Sequence, residues 1–207
     1  MIKTVHKTFS FLTSSVLHPT SIGLFISLVL DPMWVMGGIT IAGAYRYGLR
    51  ETNFWRFALI VALVMVLPQL ILRLIFSQRN QSSGWDIKTL KHRPLVIGVL
   101  LIFGILHIIL ARTYGNEHLM QLFLLYELWL LGFCLVSLIW KMSGHAGGMA
   151  LATGLMILWY GWTWWPILLL VPLMGWARVV TRDHTVAQVI WGSLYSFVMV
   201  LVYTFYM

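Results

Sequence analysis

The sequence predicts an all-α fold, a polytopic bundle of six to seven transmembrane helices making one integral membrane domain over residues 1–207. Three observations carry this. Apolar residues make up 60% of the chain and charged residues 10%, with a mean hydropathy of +0.86; a soluble domain is nearer half apolar and one quarter charged. The apolar residues fall in runs close to the roughly 20 residues that a helix needs to cross a bilayer. The basic residues behind the net charge of +8 gather mostly in the turns between those runs. That is the usual membrane pattern, and it points to anionic lipid headgroups rather than nucleic acid as partners.

Taken in order, residues 1–18 read as an interfacial segment. Lys3 and Lys7 are present but the stretch has polar interruptions and no cleavage-type end, so no secretory signal is expected. Phe9, Phe11, Leu12, Val16 and Leu17 are available to lie on lipid. Crossings are predicted at 19–46, 54–77, 94–111, 119–140, 146–161, 163–177 and 185–206. Asp31-Pro32 should kink the first or split it in two, and a re-entrant first segment would reduce the count to six. Trp162, Trp164 and Trp165 beside Pro166 mark an interfacial turn at the start of the short sixth crossing. The longest polar stretch is 78–93. The lone Cys134 lies in an apolar run and excludes an intrachain disulfide. His107 and Glu127 stand inside consecutive crossings, where ionisable groups are costly; a helix–helix contact is the favoured reading and a buried pair the other. Gly147, Gly148 and Gly154 are expected to be close-packing positions.

Two motifs carry chemistry. Ser143-Gly144-His145 opens one crossing, and Arg178-x5-His184-x3-Gln188 links the end of another to the start of the last. An even number of crossings separates these clusters from each other and from His92-Arg93-Pro94, so all three share one membrane face. The start of a helix offers unpaired N–H groups and a positive dipole end, which suit phosphate. Gln188 stands four residues after His184, on the same helix face, where its amide can reach the imidazole. An acceptor on one ring nitrogen fixes the tautomer and leaves the other nitrogen to attack. A neutral imidazole is a competent nucleophile toward phosphorus, giving a covalent phosphohistidine. His145 is then the natural proton donor to the leaving oxygen. Arg93 and Arg178 are expected to clamp the equatorial oxygens with forked N–H bonds. The Ser143 hydroxyl and the N–H groups at Gly144 and His145 complete the cradle. Without paired carboxylates or a Cys/His cluster at ligand spacing, no metal and no cofactor is expected.

These residues resemble the type 2 phosphatidic acid phosphatase superfamily, which includes lipid phosphate phosphatases and vanadium haloperoxidases. Its motifs are K-x6-R-P, P-S-G-H and S-R-x5-H-x3-D. Here they read Asp86-x6-Arg93-Pro94, Met142-Ser143-Gly144-His145 and Ala177-Arg178-x5-His184-x3-Gln188, a resemblance over residues 86–190. It is closest to small prokaryotic members with K-M-S-G-H and R-x5-H-T-x2-Q patterns. Three of the departures matter: Asp86 replaces a lysine, Ala177 a phosphate-binding serine, and Gln188 the aspartate that orients the nucleophile. Lys88 or Lys91 would have to supply the missing cation, and Arg182 is a further candidate phosphate ligand. The neutral Gln188 implies a weaker base and slower chemistry.

The resemblance implies a haloperoxidase-like helical core and a metal-independent membrane phosphatase acting on a lipid phosphomonoester or diphosphate. Polyprenyl phosphates or diphosphates are favoured over glycerolipid phosphates. The alternatives are a lipid phosphotransferase, in which an alcohol replaces water, and a degenerate, non-catalytic lipid-binding member. A retinal protein would need a lysine in 185–206, which has none, and a transporter would more typically show two similar halves. The motif face carries more basic residues than the other, so the positive-inside rule puts the site on the cytoplasmic side of a prokaryotic plasma membrane.

Overall fold

A computed structural model describes residues 18–47, 53–68, 70–71, 74, 82–83, 86–87, 93–113 and 116–205. The interfacial segment expected over residues 1–18, save His18, lies outside them, as does Lys88. Arg93 is described as the first residue of a helix, without its side chain.

The fold is helical. Helix α1 (Pro19–Val29) and helix α2 (Pro32–Arg46) are the two pieces of the first apolar run, split at Asp31-Pro32. Proline cannot continue a helix and pushes the preceding residue out of helical geometry. Asp31 accordingly has φ −61°, ψ 137°, and its side chain accepts the Met33 N–H, capping α2. Helix α3 (Asn53–Val61) passes into a π-helical turn at Ala62–Val66. Within the polar stretch, Ser82–Ser83 pairs antiparallel with Asp86–Ile87, a short hairpin that the all-α expectation did not include. Helix α4 (Arg93–Thr113) and helix α5 (Glu117–Ser137) are neighbours, α5 being capped by the Asn116 side chain. Helix α6 (Gly144–Tyr160) ends at Gly161, whose φ of 89° suits glycine alone. The tryptophan-rich stretch expected to be a turn is a 3₁₀ helix, Trp162–Leu169, running directly into α7 (Leu170–Val180). Helix α8 (Val186–Thr204) closes the described chain.

Among the described residues, four helical stretches are long and apolar enough to cross a membrane: Pro19–Arg46, Glu117–Ser137, Trp162–Val180 and Val186–Thr204. Their outward faces carry large exposed apolar side chains, including Phe25, Leu135, Trp191 and Leu201. Such surface is far more than a soluble monomer tolerates and fits a lipid surround.

Helix α6 is the hub, packed by α2, α7 and α8. A helix surrounded on all sides needs small residues to let neighbours approach. A Cβ on Gly148 would come within 3.0 Å of Pro32, one on Gly154 within 2.9 Å of Val200, and one on Gly147 within 3.0 Å of Ser196. The glycines therefore do the packing work expected of them. In α4 and α5, no ion pair joins His107 to Glu127 among the described residues. Glu127 lies against Gly104, and the His107 ring stacks on Phe123 at 5.1 Å, its Nε2 buried without a hydrogen-bond partner.

Candidate active site

Three helix ends and the α1–α2 break converge here. Helix α6 starts from Ser143, whose Oγ accepts the Ala146 N–H at 3.3 Å in an N-cap. Helix α8 starts from Thr185 with a capping box: Thr185 Oγ1 accepts the Gln188 N–H, and Gln188 Oε1 accepts the Thr185 N–H. Helix α7 ends in a tight turn in which Arg182 N donates to Val179 O, and Asp183 N and His184 N both donate to Arg178 O. The first two of these bonds make a Schellman ending, whose left-handed position is usually glycine. Here Arg182 occupies it with φ 59°, at a cost of about 1–2 kcal/mol for an L-residue.

That turn sets the third motif. It reverses the chain between Arg178 and His184, so that both are buried, while Arg182 is exposed on its outer side. Arg178 Nη1 lies 3.2 Å from Asp183 Oδ2, which also accepts the Thr181 hydroxyl at 2.7 Å. The carboxylate fixes the guanidinium at the end of α7. His184 Nδ1 lies 3.1 Å from Gln188 Oε1. Because this amide oxygen only accepts, Nδ1 is the ring nitrogen that donates.

The second motif is joined directly to the third. Ser143 N donates to Gln188 O at 3.1 Å, and Lys141 Nζ donates to Asp183 O at 2.7 Å. Gly192 permits the approach: a Cβ there would meet Ser143 O at 2.7 Å. Ser143, Gly144 and His145 therefore stand at the same end of the bundle as Arg178, His184 and Gln188. His145 is buried and its Nε2 lies 3.1 Å from Oδ2 of the fully buried Asp31.

Arg93 begins α4, and Asp86 lies on the hairpin before it, but neither side chain is described; Lys88 is outside the described residues altogether. The expectation that the first motif joins the site therefore falls outside the described residues.

Three participants were missing from the sequence reading. Asp31 was read only as a helix breaker, although a carboxylate inside an apolar run is a signal in its own right. Asp183 lies within the unspecified x5 of the third motif. The Thr-x-x-Gln capping box was visible as a pattern and shows that Gln188 holds its own helix end as well as His184. Among the described residues no group of three or more His, Cys, Asp or Glu is arranged to hold a metal. The chain matches no family model, no curated protein and no solved structure.

Proposed function

We propose that this chain is a membrane phosphatase that hydrolyses a lipid phosphomonoester or diphosphate through a phosphohistidine at His184. The observation that carries the reading is the junction of the two motifs. The Ser143–Gln188 backbone bond and the Lys141–Asp183 bond bring two helix N-termini, two histidines and an arginine to one place. Helix N-termini attract phosphate through unpaired N–H groups and the dipole.

In the first step His184 Nε2 attacks phosphorus, the P–O bond to the lipid breaks, and His145 gives a proton to the leaving oxygen. In the second, neutral His145 takes a proton from water. The water oxygen attacks phosphorus, the P–N bond breaks, and inorganic phosphate leaves with both histidines restored. Gln188 holds the nucleophile's tautomer throughout. Arg178, steadied by Asp183, offers its guanidinium to the charge that builds on the equatorial oxygens. Ser143 and the N–H groups at Gly144 and His145 bind the same phosphoryl group.

Polyprenyl phosphates or diphosphates are the preferred substrates, the apolar outer faces of the helices suiting a long isoprenoid tail. In this reading α3, α4 and α6 join the longer helices to give six to seven crossings in a prokaryotic plasma membrane, with the site facing the cytoplasm. Phosphate release by purified protein from a panel of polyprenyl and glycerolipid phosphates tests the activity. Release from none of them would remove the proposal. One-sided reporters fused at Met207 and within residues 78–93 test the topology: seven crossings put Met207 outside, and an active cytoplasmic reporter there would refute the count or the orientation.

A further inference from the structure

We propose that Asp31 is the positioning residue of His145, holding the Nε2–H so that the imidazolium presents its second proton, on Nδ1, to the leaving oxygen. This rests on the phosphatase reading above. Asp31 stands 114 residues before His145, at the break between α1 and α2, and belongs to neither motif. Both of its oxygens are engaged: Oδ1 accepts the Met33 N–H at 2.9 Å, and Oδ2 lies 3.1 Å from His145 Nε2.

Capping alone does not explain an aspartate here. Asparagine, serine or threonine would cap α2 about as well, and none would bring an ionisable group into an apolar run. A fully buried carboxylate is costly unless paired and hydrogen-bonded, and His145 is the cationic partner at hand. The docking is built for this pair. Pro32 sits on Gly148, where a Cβ would come within 3.0 Å of it, and Gly148 follows His145 by three residues on the same face of α6. Adjacent residues of the break therefore meet successive turns of α6, and Gly148 sets how closely they approach. A carboxylate that accepts the Nε2–H fixes the ring and leaves Nδ1 as the nitrogen that exchanges a proton with the leaving oxygen.

The test is Asp31→Asn in the full-length protein, which keeps the cap and the volume but removes the charge. Two substrates are compared: dodecyl phosphate, whose alkoxide must be protonated as it leaves, and p-nitrophenyl phosphate, whose phenolate leaves unaided. Read as kcat/KM, which reports the first step and not the hydrolysis common to both esters, the variant is expected to lose at least about 100-fold on the alkyl ester and no more than about threefold on the aryl ester. It should add nothing further in a His145→Gln background. Equal loss on both esters, or loss on neither, overturns the role of Asp31 while leaving the phosphatase reading intact. Wild-type protein active on no lipid phosphate and on neither ester sinks the phosphatase reading itself. Should Asp31→Asn not accumulate, histidine-¹⁵N spectra of wild-type protein at neutral pH decide, with His145→Gln assigning the signal. A doubly protonated His145 supports the pairing, and a neutral one overturns it.

Discussion

His145 and His184 each stand at the start of a helix at the same end of the bundle, yet they are held in opposite ways. His184 takes its partner from its own helix, an uncharged amide one turn on, at 3.1 Å. His145 takes its partner from a distant break in the chain, a carboxylate, also at 3.1 Å. Both partners accept a ring N–H, but only the carboxylate brings a charge of its own. In the proposed mechanism these unlike environments divide two like residues between a nucleophile and an acid. Divergent surroundings of this kind are what assign acid and base roles elsewhere.

The comparison breaks most sharply at the nucleophile. His184→Ala is expected to lower turnover by at least about 10³-fold, measured as phosphate release from the best lipid substrate. Near wild-type activity would remove the division of labour altogether. Arg178→Lys keeps the charge but loses the planar fork that Asp183 orients. Its turnover should fall by roughly 10–100-fold, for a loss of about 1.4–2.8 kcal/mol in transition-state binding, and inhibition by vanadate should weaken with it. Unchanged vanadate inhibition would remove Arg178 from the phosphate site. Gln188→Asp sharpens the contrast by giving His184 a charged partner like that of His145. Activity should persist or rise by a few-fold, and a collapse would show that the amide serves mainly to close the capping box. The smallest effect on chemistry is expected from Gly192→Ala, which tests the joint between the two motifs. Its Cβ would meet the Ser143 carbonyl at 2.7 Å, a backbone atom unable to swing aside. A destabilisation of about 1–3 kcal/mol is expected, read as a lowered melting temperature in detergent.

What was legible in the sequence was local. The split of residues 19–46 follows from a proline; the His184–Gln188 contact was expected from helical periodicity, but His184 precedes the N-cap Thr185 and the contact forms because the Gln188 amide reaches back over the helix start. The glycines of α6 followed from the needs of a helix surrounded by others. Distant pairings and short-range bends were not legible. Asp31 and His145 meet only because Gly148 lets Pro32 dock, and no spacing rule links positions 114 apart. The left-handed Arg182 is invisible to propensity, which would have placed glycine there. The 3₁₀ helix at Trp162–Leu169 was hidden by its tryptophans, which read equally well as an interfacial turn. Hydropathy found every apolar run but not its reach. The expected crossing 146–161 corresponds to the 17-residue α6, Gly144–Tyr160, which begins two residues earlier and ends one residue sooner, and whose glycines let its neighbours approach.

The Asp31–Pro32 break also bears on how the protein is made. Ribosomes add roughly 5–20 residues per second, so the 114 residues between Asp31 and His145 take roughly 6–23 s to appear. During that interval the segment 19–46 holds a carboxylic acid without His145 to meet it. A charged group alone in hydrocarbon is expensive, so the segment has to wait protonated or in contact with water near the insertion machinery. Its final seating is then a late event in biogenesis, governed by the arrival of α6, and a segment synthesised well before α6 settles only after it.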